Sequence, residues 1–332
     1  MMKIDIYAHL ITQKVIDVFS SRVGNMGLRP DEKFDTRMCD INTRLAIMDK
    51  FPGLAHVLVP TGQPLEVHAR PDDALYIANV YNDELANLVH KYPDKFIAAV
   101  ACLPLNDLDA TMKEIDRCIK QLKFKGILIN TPLNGSAIDL PEFMPIYQRM
   151  QEYDLPIWIH PIRFFDYSDY ADEIDSKYGL YHVLGWPYET TVAMCRLVCS
   201  GVLMKFPKLK FITHHAGGIL PYISRRAIRI NPSMGQEFLN PEEVRKLQPP
   251  IEQLRMFYND TALYGNVSAL MCAHAYFGTE HLLFGTDAPY GPMLGEQYTK
   301  WTIEAVDSMA IPDSAKAMIY EGNARNLLHL DK

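Results

Sequence analysis

Pro156-Ile157-Trp158-Ile159-His160 is a short apolar run that ends in a histidine and is followed by a second proline, Pro161. Its length and its isoleucines fit a buried strand better than a helix. Working outward in both directions, the same pattern recurs seven more times: a short apolar run, a polar residue or turn, then a helical stretch. The other runs are 3–8, 55–59, 96–103, 126–130, 210–214, 256–260 and 281–285. Helical candidates lie near 72–92, 107–122, 142–153, 187–204, 218–229, 265–276, 295–309 and 314–328. Near-continuous apolar strands separated by helices predict a parallel sheet buried on both faces. Eight such units predict an α/β fold of the closed (β/α)8 TIM-barrel kind rather than an open doubly wound sheet. No GxGxxG or GxxxxGK[ST] loop follows any run, which argues against a nucleotide-binding sheet. Three longer segments, 12–51, 164–185 and 231–254, leave after a strand or its first helical turn. They are expected to roof the C-terminal face of the strands, with residues 1–332 forming a single domain.

Composition narrows the function classes. The chain has 332 residues, 33 basic and 40 acidic side chains and a net charge of −7, so it lacks the basic footprint of a nucleic-acid binder. The lysines at 120, 123 and 125 and at 205, 208 and 210 each precede an apolar run and read as solvated helix ends. No apolar run approaches the roughly 20 residues of a membrane span. Asp5 falls where a signal peptide needs its apolar stretch, so the expected location is cytoplasmic. The six cysteines form no CxxC pair and read as reduced thiols. Cys195 and Cys199 lie one helical turn apart and read as two small residues on a buried helix face.

In a (β/α)8 barrel the catalytic groups come from the C-terminal ends of several strands. Here strand one ends in Tyr7-Ala8-His9, strand five in Trp158-Ile159-His160, strand six in His214-His215-Ala216-Gly217-Gly218 and strand eight in Gly285-Thr286-Asp287-Ala288-Pro289. Three strands therefore end in histidine and a fourth in aspartate, in a chain with only 11 histidines. Imidazoles and a carboxylate suit a divalent metal, and ligands on separate strands converge without a flexible loop. Tyr7 and His9, two apart, share one face of a strand. Asp287 would complete the ligand set with His9 and His160 and could also take a proton from water. His215 would act as acid or base near its ordinary pKa. In an extended strand His214 and His215 face opposite ways, so only one can point inward, and His214 reads as structural. Among the remaining histidines only His182, in the 164–185 segment, reads as a pocket residue.

These motifs resemble the amidohydrolase-related family that includes 2-amino-3-carboxymuconate-6-semialdehyde decarboxylase and the γ-resorcylate-type decarboxylases. The matching pieces are Ile4 to His9, Pro156 to Pro161, Thr213 to Gly218, Leu283 to Pro289 and the closing Glu321-Gly322-Asn323-Ala324-Arg325-Asn326-Leu327. The resemblance spans nearly the whole chain in the same order. It implies a (β/α)8 barrel and one divalent metal, usually zinc and sometimes manganese. It also implies a small carboxylated substrate and, often, a homodimer. By that similarity His9, His160 and Asp287 are metal ligands and His215 is the acid–base residue. The family's substrate-carboxylate arginine falls on Arg226, with Arg225 as the one-residue-off alternative. A planar guanidinium there can hold a carboxylate bidentately. One departure matters: the family begins with His-x-His or Glu-x-His, whereas this chain has Tyr7. A neutral phenol is a poor ligand unless the metal ionises it. Tyr7 is then left beside the metal, where it can meet substrate, and three protein ligands remain.

The expected activity is metal-dependent, non-oxidative decarboxylation of a small unsaturated or aromatic carboxylic acid. The rivals are hydrolysis or hydration of a lactone, amide or carbon–carbon double bond, and a non-catalytic barrel that binds small acids. A metal-free lyase using Tyr7 as acid or base is the fourth.

Overall fold

A computed structural model describes residues 1–24, 36–61, 64–227, 229–230, 242 and 250–330. Seven strands occur among them: β1 (Lys3–Leu10), β2 (Leu54–Pro60), β3 (Phe96–Ala99), β4 (Ile127–Thr131), β5 (Ile157–Pro161), β6 (Phe211–Thr213) and β7 (Tyr258–Asn259). Each lies within or across one of the apolar runs. The contacts gather in two compact units. The first comprises Met1–Leu128, Thr261–Val267 and Leu283–Lys332 and holds the sheet β1-β2-β3. The second comprises Ile129–Asp260 and Ser268–Leu282 and holds β5, β6, β7 and all but the first two residues of β4.

In the first unit β1 and β2 pair in parallel, with Ile4 opposite Ala55 and His9 opposite Val59. Every residue of β2 is buried, as a strand covered on both faces requires. In the second unit Ile159 pairs with Thr213, and Thr213 with Asn259. His160, His214 and Asp260 therefore each stand one residue beyond the same paired row.

The run 281–285 is not laddered as an eighth strand. Leu282 bridges Asn259 in parallel. The Phe284 N–H donates to the Ile319 carbonyl at 2.8 Å, and Ile6 N–H donates to the Phe284 carbonyl at 3.0 Å. Gly285 N–H and Thr286 N–H donate to the side chains of Thr261 and Asp5. These acceptors satisfy the backbone groups that a neighbouring strand would otherwise take, so the segment is extended without a ladder.

Segment 12–51 carries two helices that periodicity missed, α1 (Gln13–Arg22) and α2 (Ile41–Met48). Thr12 caps α1 by accepting from Val15 N–H, and Asp40 caps α2 by accepting from Asn42 N–H. α1 lies along the helix Pro71–Lys91 through Lys14–Glu84 and Arg22–Asp73, both at 2.9 Å. It is thus a flanking helix rather than roof. The 187–204 candidate splits into Gly185–Cys199 and Val202–Lys205 at Gly201, whose φ of 81° no interior helical residue adopts. Of the 218–229 candidate, Ser224–Ala227 is helical. Most of segment 231–254 lies outside the described residues.

Candidate active site

The first unit brings Tyr7, His9 and Asp287 together. Two-residue alternation on β1 sets Tyr7 and His9 side by side, both buried, with ring centroids 5.6 Å apart. His9 Nδ1 lies 3.3 Å from the Pro60 carbonyl. A carbonyl only accepts, so Nδ1 carries the proton and Nε2 presents its lone pair. That Nε2 is 3.4 Å from Asp287 Oδ1. Asp287 has a left-handed backbone, φ 68°, which costs a non-glycine residue of order 1–3 kcal/mol. Its other oxygen, Oδ2, accepts from the Tyr264 hydroxyl at 3.0 Å. Tyr264 is itself left-handed at φ 51° and stacks on Tyr298 with centroids 4.2 Å apart.

Beneath this pair lies a buried set of charges. Asp5 accepts from Tyr7 N–H at 3.0 Å and from both the N–H and the hydroxyl of Thr286. Burial nevertheless pushes its carboxyl up to about 6. Arg44 donates to the His9 carbonyl, and its Nη1 lies 3.4 Å from His56 Nδ1. Burial lowers Arg44 to about 10, and burial with the neighbouring Arg44 charge holds His56 well below the usual histidine range. Asp5 and His56 stand out in the sequence as polar residues inside apolar runs. Nothing local in the sequence marks Arg44 or Tyr264.

The second unit assembles His160, His214 and His215. The expectation that adjacent histidines face opposite ways fails here. β6 stops at Thr213, and His215 and Ala216 adopt φ of 56° and 52°, so the strand twist is broken. The rings of His214 and His215 stack at 3.8 Å, and His214 lies 5.3 Å from His160. The turn needs both glycines that follow. A Cβ on Gly217 would meet Phe277 at 2.7 Å, and one on Gly218 the Pro187 carbonyl oxygen at 2.3 Å. Asp260 anchors the turn: Oδ1 accepts from Ala216 N–H at 3.1 Å, and Oδ2 pairs with His214 Nδ1. Asp260 ends the apolar run 256–260, one residue past β7, so the same run-end signal that marks the histidines marks it too, although it is not among the expected site residues.

Trp186 stands edge-on to His160 at 5.2 Å and to the exposed His182 at 4.2 Å. Arg226 and Arg225 are both exposed on the Ser224–Ala227 turn of helix. Cys195 and Cys199 are half-buried rather than on a fully buried helix face, and burial pushes their thiols up to about 12 and about 11, which suits inert thiols rather than ligands. Among the described residues no helix is long and apolar enough to cross a membrane.

A family profile described as amidohydrolase matches residues 4–330. A γ-resorcylate decarboxylase from Rhizobium sp. (strain MTP-10005) is 31% identical over 315 residues, 89% of each chain. A 2-amino-3-carboxymuconate-6-semialdehyde decarboxylase from Dictyostelium discoideum is 29% identical over 79% of this chain and 69% of its own length. The dihydroxybenzoic acid decarboxylase of Polaromonas sp. JS666, solved with manganese and 2-nitroresorcinol, superposes with a TM-score of 0.79. That match is at 25% identity and covers 100% of this chain and 98% of the relative. The chain shares the α/β fold of these enzymes, the TIM barrel expected from its strand–helix count.

Proposed function

Because this chain belongs to the amidohydrolase family, we propose that it is a metal-dependent, non-oxidative decarboxylase of a small aromatic or unsaturated carboxylic acid. The contact between His9 and Asp287 carries the reading. Pro60 fixes the proton on His9 Nδ1, so a lone pair on Nε2 faces a carboxylate oxygen across 3.4 Å in a buried setting. Two such acceptors repel unless a proton or a cation lies between them, and imidazole with carboxylate is a donor set for a divalent ion. His9, Asp287 and His160 would hold one metal. Manganese is present in the Polaromonas relative, and zinc suits the same nitrogen–oxygen set. A bound divalent ion supplies Lewis acidity toward a substrate oxygen.

The chain's own groups account for the rest. Arg226 would pair with the substrate carboxylate, and Tyr7 would border the reacting ring. His215 or Asp287 would manage the proton that replaces carbon dioxide. The carbon–carbon bond breaks with its electron pair left on the ring carbon, that carbon takes the proton, and no oxidant is needed. The names of the relatives, decarboxylases of aromatic and muconate-type acids, support this substrate class. The family match across 4–330 supports one domain. The six free thiols fit a reducing, cytoplasmic setting. A homodimer belongs to the same proposal, and light scattering tests it.

The deciding experiment pairs elemental analysis of purified protein with a carbon dioxide release assay on carboxylated phenols and muconates. One divalent metal per chain and release from at least one acid is the expected result. No release from any of them by metal-loaded protein overturns the reading. Arg226→Ala should raise KM about 10- to 150-fold for a carboxylate substrate, the worth of a charge-assisted hydrogen bond. It should leave the KM of the matching amide nearly unchanged. An equal effect on both makes Arg226 structural.

A further inference from the structure

The second unit contains a histidine that the proposed ligand set does not use. His214 is fully buried at the end of β6, with its Nδ1 on the carboxylate of the equally buried Asp260. A carboxylate accepts and does not donate, so Asp260 keeps the proton on Nδ1 and leaves the lone pair on Nε2. This carboxylate–imidazole pairing is what holds a metal-ligating histidine in its tautomer and fixes its aim. The neighbouring His160 is one of the proposed ligands, and the ligand atoms of the two imidazoles lie within 4.8 Å of one another. Two nitrogens at about 2.0–2.1 Å from one tetrahedral zinc stand about 3.4 Å apart. Side-chain rotation that brings the two rings up to about 1.4 Å closer therefore lets both bind one ion.

We propose that His214 is a ligand of the metal alongside His160, with Asp260 as the positioning residue that sets its tautomer. The inference rests on the metal dependence argued above and adds a donor to it. The broken strand end fits this assignment. The left-handed turn at His215 and Ala216 removes His215 from the opposite face and stacks it on His214. The proton-managing imidazole thereby lies directly against the ligating one. Asp260 serves both jobs, with one oxygen on His214 and the other on the turn's Ala216 N–H.

The test measures metal binding rather than turnover. Purified wild type, His160→Ala, His214→Ala and Asp260→Asn are stripped and titrated with zinc against a competing chelator, then loaded with cobalt for its visible ligand-field spectrum. Wild type should bind one ion. His214→Ala should raise the zinc dissociation constant more than about 100-fold and alter the cobalt spectrum. Asp260→Asn offers an amide N–H in place of an acceptor and drives the His214 proton to Nε2. It should cost about 10- to 100-fold, the usual effect of removing a ligand's orienting partner. If His214→Ala does not fold by circular dichroism, Asp260→Asn decides: a folded variant with wild-type affinity overturns the assignment. A wild type that binds one ion, loses it in His160→Ala and keeps both affinity and cobalt spectrum in His214→Ala overturns this inference alone. A wild type that binds no ion overturns the metal reading with it.

Discussion

The two units prepare their ligand residues by opposite means. In the first, His9 and Asp287 rest on buried charge and hydrogen bonds: Asp5, Arg44 and His56 below, Tyr264 at the side. In the second, His160, His214 and His215 are held by ring stacking and edge contacts, with Asp260 as the carboxylate bound to His214. The first mode supplies a nitrogen from His9 and an oxygen from Asp287 and fixes them at the expense of desolvated charge and a left-handed aspartate. The second supplies nitrogen donors whose aim depends on a turn that only glycine-rich sequence permits. Donors in the first unit therefore come braced mainly by polar contacts, and donors in the second mainly by aromatic ones.

Substitutions can break that comparison, and the largest expected effect falls in the second unit. His160→Ala removes a proposed ligand outright, so bound metal should be mostly lost. Turnover should fall roughly 1,000-fold or more, since the ion's Lewis acidity is worth several kcal/mol. Elemental analysis with a steady-state assay reads both. Unchanged stoichiometry would mean that the aromatic half holds no ligand at this position.

The next effect isolates the buried charge of the first unit. Burial raises Asp5 from 3.8 to about 6, so between those values the folded chain keeps a proton that the unfolded chain has released. The stabilising contribution is full below the unfolded value and is lost as pH rises through about 6. It amounts to up to about 3 kcal/mol at 1.36 kcal/mol per unit. Asp5→Asn cannot ionise, so relative to wild type it should gain up to that amount between about pH 4 and pH 7. Urea unfolding at the two pH values measures it, and a constant difference would remove Asp5 from the strained scaffold.

Tyr264→Phe sharpens the contrast at smaller scale. It deletes the hydroxyl that donates to Asp287 Oδ2 and keeps the stack on Tyr298. Metal affinity should fall about 10-fold, at the low end for a ligand's orienting partner, with the melting temperature nearly unchanged. Chelator competition and calorimetry separate the two readouts, and a lower melting temperature with unchanged affinity would make the contact merely structural. The smallest effect is expected at Tyr7→Phe, with metal content intact and rate within about 3-fold, because a phenol that keeps its proton is not a ligand. Loss of metal from that variant would place Tyr7 among the ligands and undo the contrast between the halves.

How much of this is legible in sequence follows from range. β-branched runs at regular spacing, and histidine or aspartate at their ends, are local signals, and they suffice to mark Tyr7, His9, His160, His215 and Asp287 as candidates. The helices α1 and α2 escape the same reading, although Thr12 and Asp40 stand ready as caps, because the longer segment around them shows no sustained period. The eighth run reads as a strand, yet its N–H groups find Ile319, Thr261 and Asp5, partners that local pattern does not encode.

Sequence by itself determined the α/β class, the order of the units and the residue types available for metal and proton chemistry. Side-chain period and composition are properties of neighbours along the chain. Only tertiary structure decided that His214 and His215 stack on one side, since a left-handed turn held by Asp260, 44 residues beyond Ala216, overrides strand alternation. Only tertiary structure paired Asp287 with Tyr264, and Arg44 with the carbonyl of His9. Those contacts depend on desolvation and on distances closed by folding, and a linear pattern carries neither.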